Sequence, residues 1–295
     1  MKRELSMTQY ELQNDHLSAV FSAKGAELVS VVRDGIEYIW QGDPRYWEEH
    51  SPILFPICGR LWEGKYTYKG EPYAMGLHGF ARHSTFSVEE KSDAHIVFLL
   101  TPTDSIRAQY PFDFALRVEY RLEEETLTVA YRLENRGDCV MYAAMGAHPG
   151  FHVPIGGEGC FSDWYLEFDR PCSPDALLLS GAYATGKKRG MTIEDGRRIP
   201  LTRALFDDEG VFMQHTANCV SIQSDRSEHA VTMRFDAPYF GIWQPAKTEP
   251  PFLCLEPWSG FAGYEGEIAA IETKPDMHRI QPQGVACFTY SLLFR

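Results

Sequence analysis

At 295 residues, 44% of them hydrophobic and 13% aromatic, the chain can build one large all-β domain or two ordinary domains around a sizeable core. Charged residues make up 23%, which excludes wholesale disorder, and a formal net charge of −13 argues against a nucleic acid held by phosphate neutralisation. A small ligand in a local basic pocket stays compatible with that balance.

The opening Met1-Lys-Arg-Glu-Leu-Ser-Met-Thr-Gln lacks the apolar run of a secretory signal. No later stretch approaches the roughly 18 consecutive apolar residues of a membrane-spanning helix, so no membrane role is expected. Strand candidates follow at 17–21 and 28–32, then a single helical turn near Pro44–His50, a strand at 95–100 and another helical turn near Asp104–Tyr110. The clearest signal comes next. Phe114, Leu116, Val118, Tyr120 and Leu122 alternate with Ala115, Arg117, Glu119 and Arg121, and after an acidic turn Leu127, Val129, Tyr131 and Leu133 alternate in the same way. A period of two with one apolar face predicts a half-buried hairpin. Further strands are predicted at 163–168, 219–223, 230–235 and 252–256, and along Phe288, Tyr290, Leu292 and Phe294. The stretch 170–200, rich in Pro, Ser, Gly and basic residues, reads as an irregular insertion. Regular strand spacing without long helices predicts an all-β sandwich of antiparallel sheets, with residues 1–295 forming one domain. The seven cysteines are odd in number and form no Cys-x-x-Cys pair, which fits reduced thiols and a cytoplasmic location.

Four segments break the alternation: Leu54-Phe-Pro-Ile-Cys-Gly-Arg60-Leu, Met75-Gly-Leu-His78-Gly-Phe-Ala-Arg82, Met145-Gly-Ala-His148-Pro-Gly-Phe151 and Leu253-Cys-Leu-Glu256-Pro-Trp258-Ser-Gly260. Each embeds ionisable residues among Gly, Pro and apolar neighbours, where a charge is costly unless paired or used. Taken singly, His148 reads as a hydrogen-bonded core histidine and Arg60 as half of an ion pair. Glu256 is harder to place on a surface.

Together, in this order and rough spacing, the four segments resemble the aldose 1-epimerase (galactose mutarotase-like) superfamily, and within it the LacX-type and hexose-6-phosphate epimerase branches. The likeness runs from Gly25-Ala-Glu-Leu to Glu256-Pro-Trp258. It implies a large β-supersandwich with a sugar in an open cleft on one sheet, and anomer interconversion without metal or cofactor. By the same resemblance Glu256 is the general base at the anomeric hydroxyl, His148 the acid at the ring oxygen, and His78 and Arg60 bind hydroxyls. Opening a cyclic hemiacetal takes a proton from O1 and gives one to the ring oxygen. A carboxylate and an imidazole on opposite sides of the ring supply both, the imidazole kept protonated by an upward pKa shift beside the carboxylate.

The chain also departs from the family pattern. Gly59 stands where many relatives have Asn before the arginine. The aspartate that grips the sugar in the better-known galactose mutarotases has only Asp207-Asp208-Glu209 in a comparable region, which makes Asp208 a loose candidate beside an acidic surface turn. Trp243 and Trp258 are candidate platforms for a sugar face, with core packing the alternative for Trp243. His78, Phe80 and Arg82 are spaced by two, so an extended segment sends all three side chains to one face. Arg82 and Arg60 then suit a phosphate, although Arg82 pairing with a carboxylate is an equal alternative. The partner is thus a small-molecule sugar or sugar phosphate. Two other readings stay open, a hexose-6-phosphate 1-epimerase and a non-catalytic carbohydrate-binding protein. A glycoside hydrolase fits less well, because only one carboxylate is convincingly embedded. His148 and His152, four apart but interrupted by Pro-Gly, make a poor metal-ligand pair.

Overall fold

The computed structural model describes residues 8–207 and 210–295. It is an all-β sandwich. A nine-stranded antiparallel sheet runs in the order Arg198–Pro200, Trp164–Phe168, Cys219–Ser224, Val231–Phe235, Val285–Phe294, Thr126–Asn135, Phe114–Glu123, His95–Leu100, Ser87–Lys91. An eight-stranded sheet faces it, in the order Tyr183–Gly190, Asp175–Ser180, Gly210–Gln214, Tyr239–Trp243, Phe252–Trp258, Gly146–Ala147, Ile53–Leu54, with Gly150–His152 also paired to Phe252–Trp258.

The period-two segments form the strands expected of them. In the central hairpin Leu116, Val118, Tyr120 and Leu122 are buried, and Glu123 pairs with Thr126 across a two-residue turn in which Glu124 takes φ +50°. The inner faces of the two sheets meet in one continuous core. Phe55 packs on Phe114 with ring centroids 5.2 Å apart, and Phe240 stacks on Phe235 at 4.8 Å. A four-stranded sheet, built from Gln9–Gln13, Ser18–Ser22, Glu27–Arg33 and Ile36–Glu37, joins the same core through Phe21, which lies 4.4 Å from the Tyr120 ring.

Two expectations fail. Residues 170–200 are not an irregular loop. Asp175–Ser180 and Tyr183–Gly190 make a bulged hairpin that extends the eight-stranded sheet. The segment near Pro44–His50 forms turns rather than helix, while the other turn is a four-residue α-helix, Asp104–Arg107, capped by Thr103. All seven cysteines are unpaired. Among the described residues no helix is long and apolar enough to cross a membrane.

Candidate active site

Strand Phe252–Trp258 is buried along its whole length. Leu253 and Leu255 point into the core, so the alternate residues Cys254, Glu256 and Trp258 face the other side of the sheet. On its flank the chain makes two short strands with a break between them. Gly146 pairs with Trp258 and Gly150 with Cys254, a register that sets His148 opposite Glu256. Pro149 has no N–H to continue the ladder, but its carbonyl accepts from Leu255 N at 3.1 Å. The result is a cross-strand pair, His148 Nε2 to Glu256 Oε2, at 3.2 Å. The expectation that the two stand on opposite sides of the sugar is therefore corrected. They are direct neighbours.

The other two segments are laced to each other and to this pair. Gly59 N donates to His78 Nδ1 at 3.0 Å, and His78 N donates to the Gly59 carbonyl at 2.8 Å. With Nδ1 accepting, the proton of a neutral His78 sits on Nε2. Gly59 takes φ +77°, and a Cβ there would lie 2.8 Å from Ala262 Cβ. That close approach and the left-handed backbone together account for the glycine at this position. Aromatic rings box in the imidazoles. His148 lies 5.0 Å from Trp47, 5.4 Å from Trp243 and 5.6 Å from His78, and His78 lies 5.5 Å from Trp258.

These side chains line a cavity of about 380 Å³, in the usual range for a small-ligand site. Arg60, His78, Arg82, His148, Trp243, Glu256 and Trp258 all reach it. Arg60 is exposed and has no ion pair among the described residues. Trp243 belongs to the cavity wall and also packs on Phe252. Arg82 arrives by a different route from the one its spacing suggested. His78 takes φ +60°, Phe80 turns into the core against Phe55, and Ala81–His83 is a 3₁₀ turn, so the three residues do not share one strand face. Arg82 Nη2 pairs with Glu49 Oε2 at 2.7 Å. Asp207 lines a separate groove and not this cavity, and Asp208, with Glu209, lies outside the described residues.

Glu49, Trp47, Phe212 and the hairpin residues Leu179 and Ala182 also line the cavity and were not anticipated. Trp47 and Glu49 sit in non-repetitive chain with no periodicity to betray them. The one available signal was a tryptophan beside paired glutamates in a turn-rich stretch. Their segment is held from outside the cavity. Glu27 accepts the backbone N–H groups of His50 at 2.8 Å and Ser51 at 3.0 Å.

Burial governs the electrostatics. It pushes the Glu256 carboxyl well above its ordinary range, opposed only by the nearby Trp258 indole N–H, and pushes His148 down to about 3. His78 is likewise held well below its ordinary value, first by burial and then by His148 and the arginines. The expected upward shift of His148 is thus corrected. Both shifts favour the neutral forms, a protonated Glu256 beside an uncharged His148. Both Glu256 oxygens, His148 Nδ1, Trp258 Nε1 and Arg82 Nε are buried without a hydrogen-bond partner. Buried polar atoms without partners are uncommon, and here they gather around one cavity. Among the described residues no group of three His, Cys, Asp or Glu side chains is arranged to hold a metal ion.

The aldose 1-epimerase family model matches residues 8–270. The chromosomal LacX protein of Lactococcus lactis subsp. lactis is 30% identical over 293 residues, covering 96% of this chain and 98% of that one. The crystal structure of a galactose mutarotase related enzyme from Lactobacillus acidophilus superposes with a TM-score of 0.92 at 32% identity, over 98% of this chain and 97% of its own. A galactose mutarotase-like protein from Lactobacillus casei superposes at 0.91 with 29% identity, over 98% of this chain and all of its own.

Proposed function

Because the chain belongs to the aldose 1-epimerase family, we propose that it interconverts the α and β anomers of an aldose by acid–base ring opening, with Glu256 and His148 as the reacting pair. The observation that carries this reading is the 3.2 Å contact between two buried, otherwise unpartnered groups on the cavity wall. O1 and the ring oxygen are bonded to the same carbon, so the acid and the base must also lie close together. Adjacent strands supply that spacing better than opposite walls of a cleft would.

The pair shares one proton. Moving it from Glu256 to His148 gives a carboxylate beside an imidazolium, the form that reacts. Glu256 takes the O1 proton as the C1–O1 bond becomes a carbonyl. The C1–ring oxygen bond breaks, and the oxygen keeps the electron pair and receives the His148 proton. Rotation about C1–C2 presents the other carbonyl face, and the same transfers in reverse close the ring. Side chains supply every proton transfer, and the steps need neither cofactor nor metal. His78 Nε2–H and Arg60 provide donors for sugar hydroxyls, and Trp243 and Trp258 provide apolar walls.

The test is proton NMR on freshly dissolved α-anomers of several aldoses, with and without the protein. Faster approach to the equilibrium anomer ratio supports the reading. Binding at the uncatalysed rate would refute it in favour of a carbohydrate-binding protein.

A further inference from the structure

Resting on the mutarotase reading, a second feature of the cavity bears on the charge of the substrate. Arg82 is one of two guanidinium groups on the cavity wall, but it is already engaged. Glu49 Oε2 holds its Nη2 at 2.7 Å, with only 16% and 20% of the two side chains exposed. In such partial shelter from water the charge-assisted bond is stronger than a surface pair. The backbone immediately after Glu49 is anchored by the Glu27 bonds to His50 and Ser51. Glu48, on the same cavity wall, adds a second negative charge.

The remaining valences match a hydroxyl. Arg82 lines the cavity as a donor with 16% of its side chain exposed, and Glu49 beside it, with 20% exposed, is an acceptor. A sugar hydroxyl donates and accepts and so satisfies both at once, whereas a phosphate dianion only accepts and would meet the Glu49 carboxylate as a like charge.

We propose that Glu49 sets the charge class of the substrate. By holding Arg82 it makes this end of the cavity a donor–acceptor fork for a hydroxyl of an uncharged aldose, and it turns away sugar phosphates.

The experiment compares glucose with glucose 6-phosphate in wild type, in Glu49→Gln, and in Glu49→Gln combined with Arg82→Ala. Turnover is read by exchange NMR and binding by calorimetry, so selectivity is measured even if anomer exchange is absent. In Glu49→Gln the phosphate-to-neutral ratio should rise by about tenfold or more, because the guanidinium is no longer neutralised and the like charge of Glu49 is gone. Adding Arg82→Ala should return the ratio to near the wild-type value. An unchanged ratio in Glu49→Gln overturns the proposal. So does a rise that survives Arg82→Ala, or a wild-type protein that already prefers the 6-phosphate. Absence of anomer exchange with every sugar would instead defeat the mutarotase reading and leave the binding ratios to judge Glu49 alone.

Discussion

Replacing Glu256 by Gln is the most direct probe of the proposed chemistry. The side chain is 1% exposed, its oxygens have no hydrogen-bond partner among the described residues, and His148 Nε2 lies 3.2 Å from Oε2. Gln has nearly the same shape, so no cavity opens and the ladder through Gly241 is untouched. What disappears is the group that takes the O1 proton. A positioned base contributes about 10²–10⁴-fold, so kcat should fall by that factor, equivalent to about 2.7–5.5 kcal/mol of barrier. Stability should hardly change, since one buried unpartnered polar group replaces another. Exchange NMR between the α and β anomeric protons at equilibrium gives the rate, with the protein-free rate subtracted, and thermal unfolding gives the control. Because acid and base act as a unit, adding His148→Asn should cost far less than its separate effect. A variant that turns over within about threefold of wild type while staying folded would show that Glu256 is not the base.

Three other outcomes are expected. The pH profile of kcat/KM should have an acid limb well below the ordinary imidazole value and an alkaline limb above the ordinary carboxylate value. A second proton must charge buried His148, held down at about 3, and loss of the last must charge Glu256, held above its ordinary 4.5, so the acid limb lies low and the alkaline limb high. A single limb centred near pH 6.5, as for a free imidazole, would contradict this. His148→Asn should lower kcat by about 10²-fold or more with little change in KM, and a loss confined to KM would make it a binding residue. Gly79→Ala should destabilise the fold by about 3 kcal/mol or more, read as a shifted denaturation midpoint. Its backbone has φ +75°, and an added Cβ would sit 2.2 Å from the Phe55 carbonyl oxygen, so an unchanged midpoint would refute the close approach.

The alternation in Phe114–Glu123 and Thr126–Asn135 was legible because one face is core and the other is wet. The hairpin at Asp175–Ser180 and Tyr183–Gly190 was not, because most of its residues are only half-buried or exposed and a bulge shifts its register after Leu177. At the site, Glu256, His148, His78 and Arg60 stood out as charges among apolar and Gly/Pro neighbours. Their mutual placement did not. The meeting of His148 with Glu256 depends on a register carried across the gap at Pro149, and spacing along the chain does not encode it. Arg82 reaches the cavity although the spacing argument behind it was wrong, because a left-handed His78 and a 3₁₀ turn re-aim the segment. Glu49 was invisible because its position is fixed by Glu27, on a strand of another sheet.

Val285–Phe294 lies in the middle of the nine-stranded sheet, between Val231–Phe235 and Thr126–Asn135. Until it docks, that sheet is two separate four-stranded ribbons, each with an open edge able to pair with another chain. Joining them sets Thr126 against Leu293, closing a loop of more than half the chain. Contacts so distant along the chain form slowly, and the wait leaves both ribbons exposed to misassembly. The strand that contributes nothing to the cavity is thus the one on which the solubility of the folding chain depends.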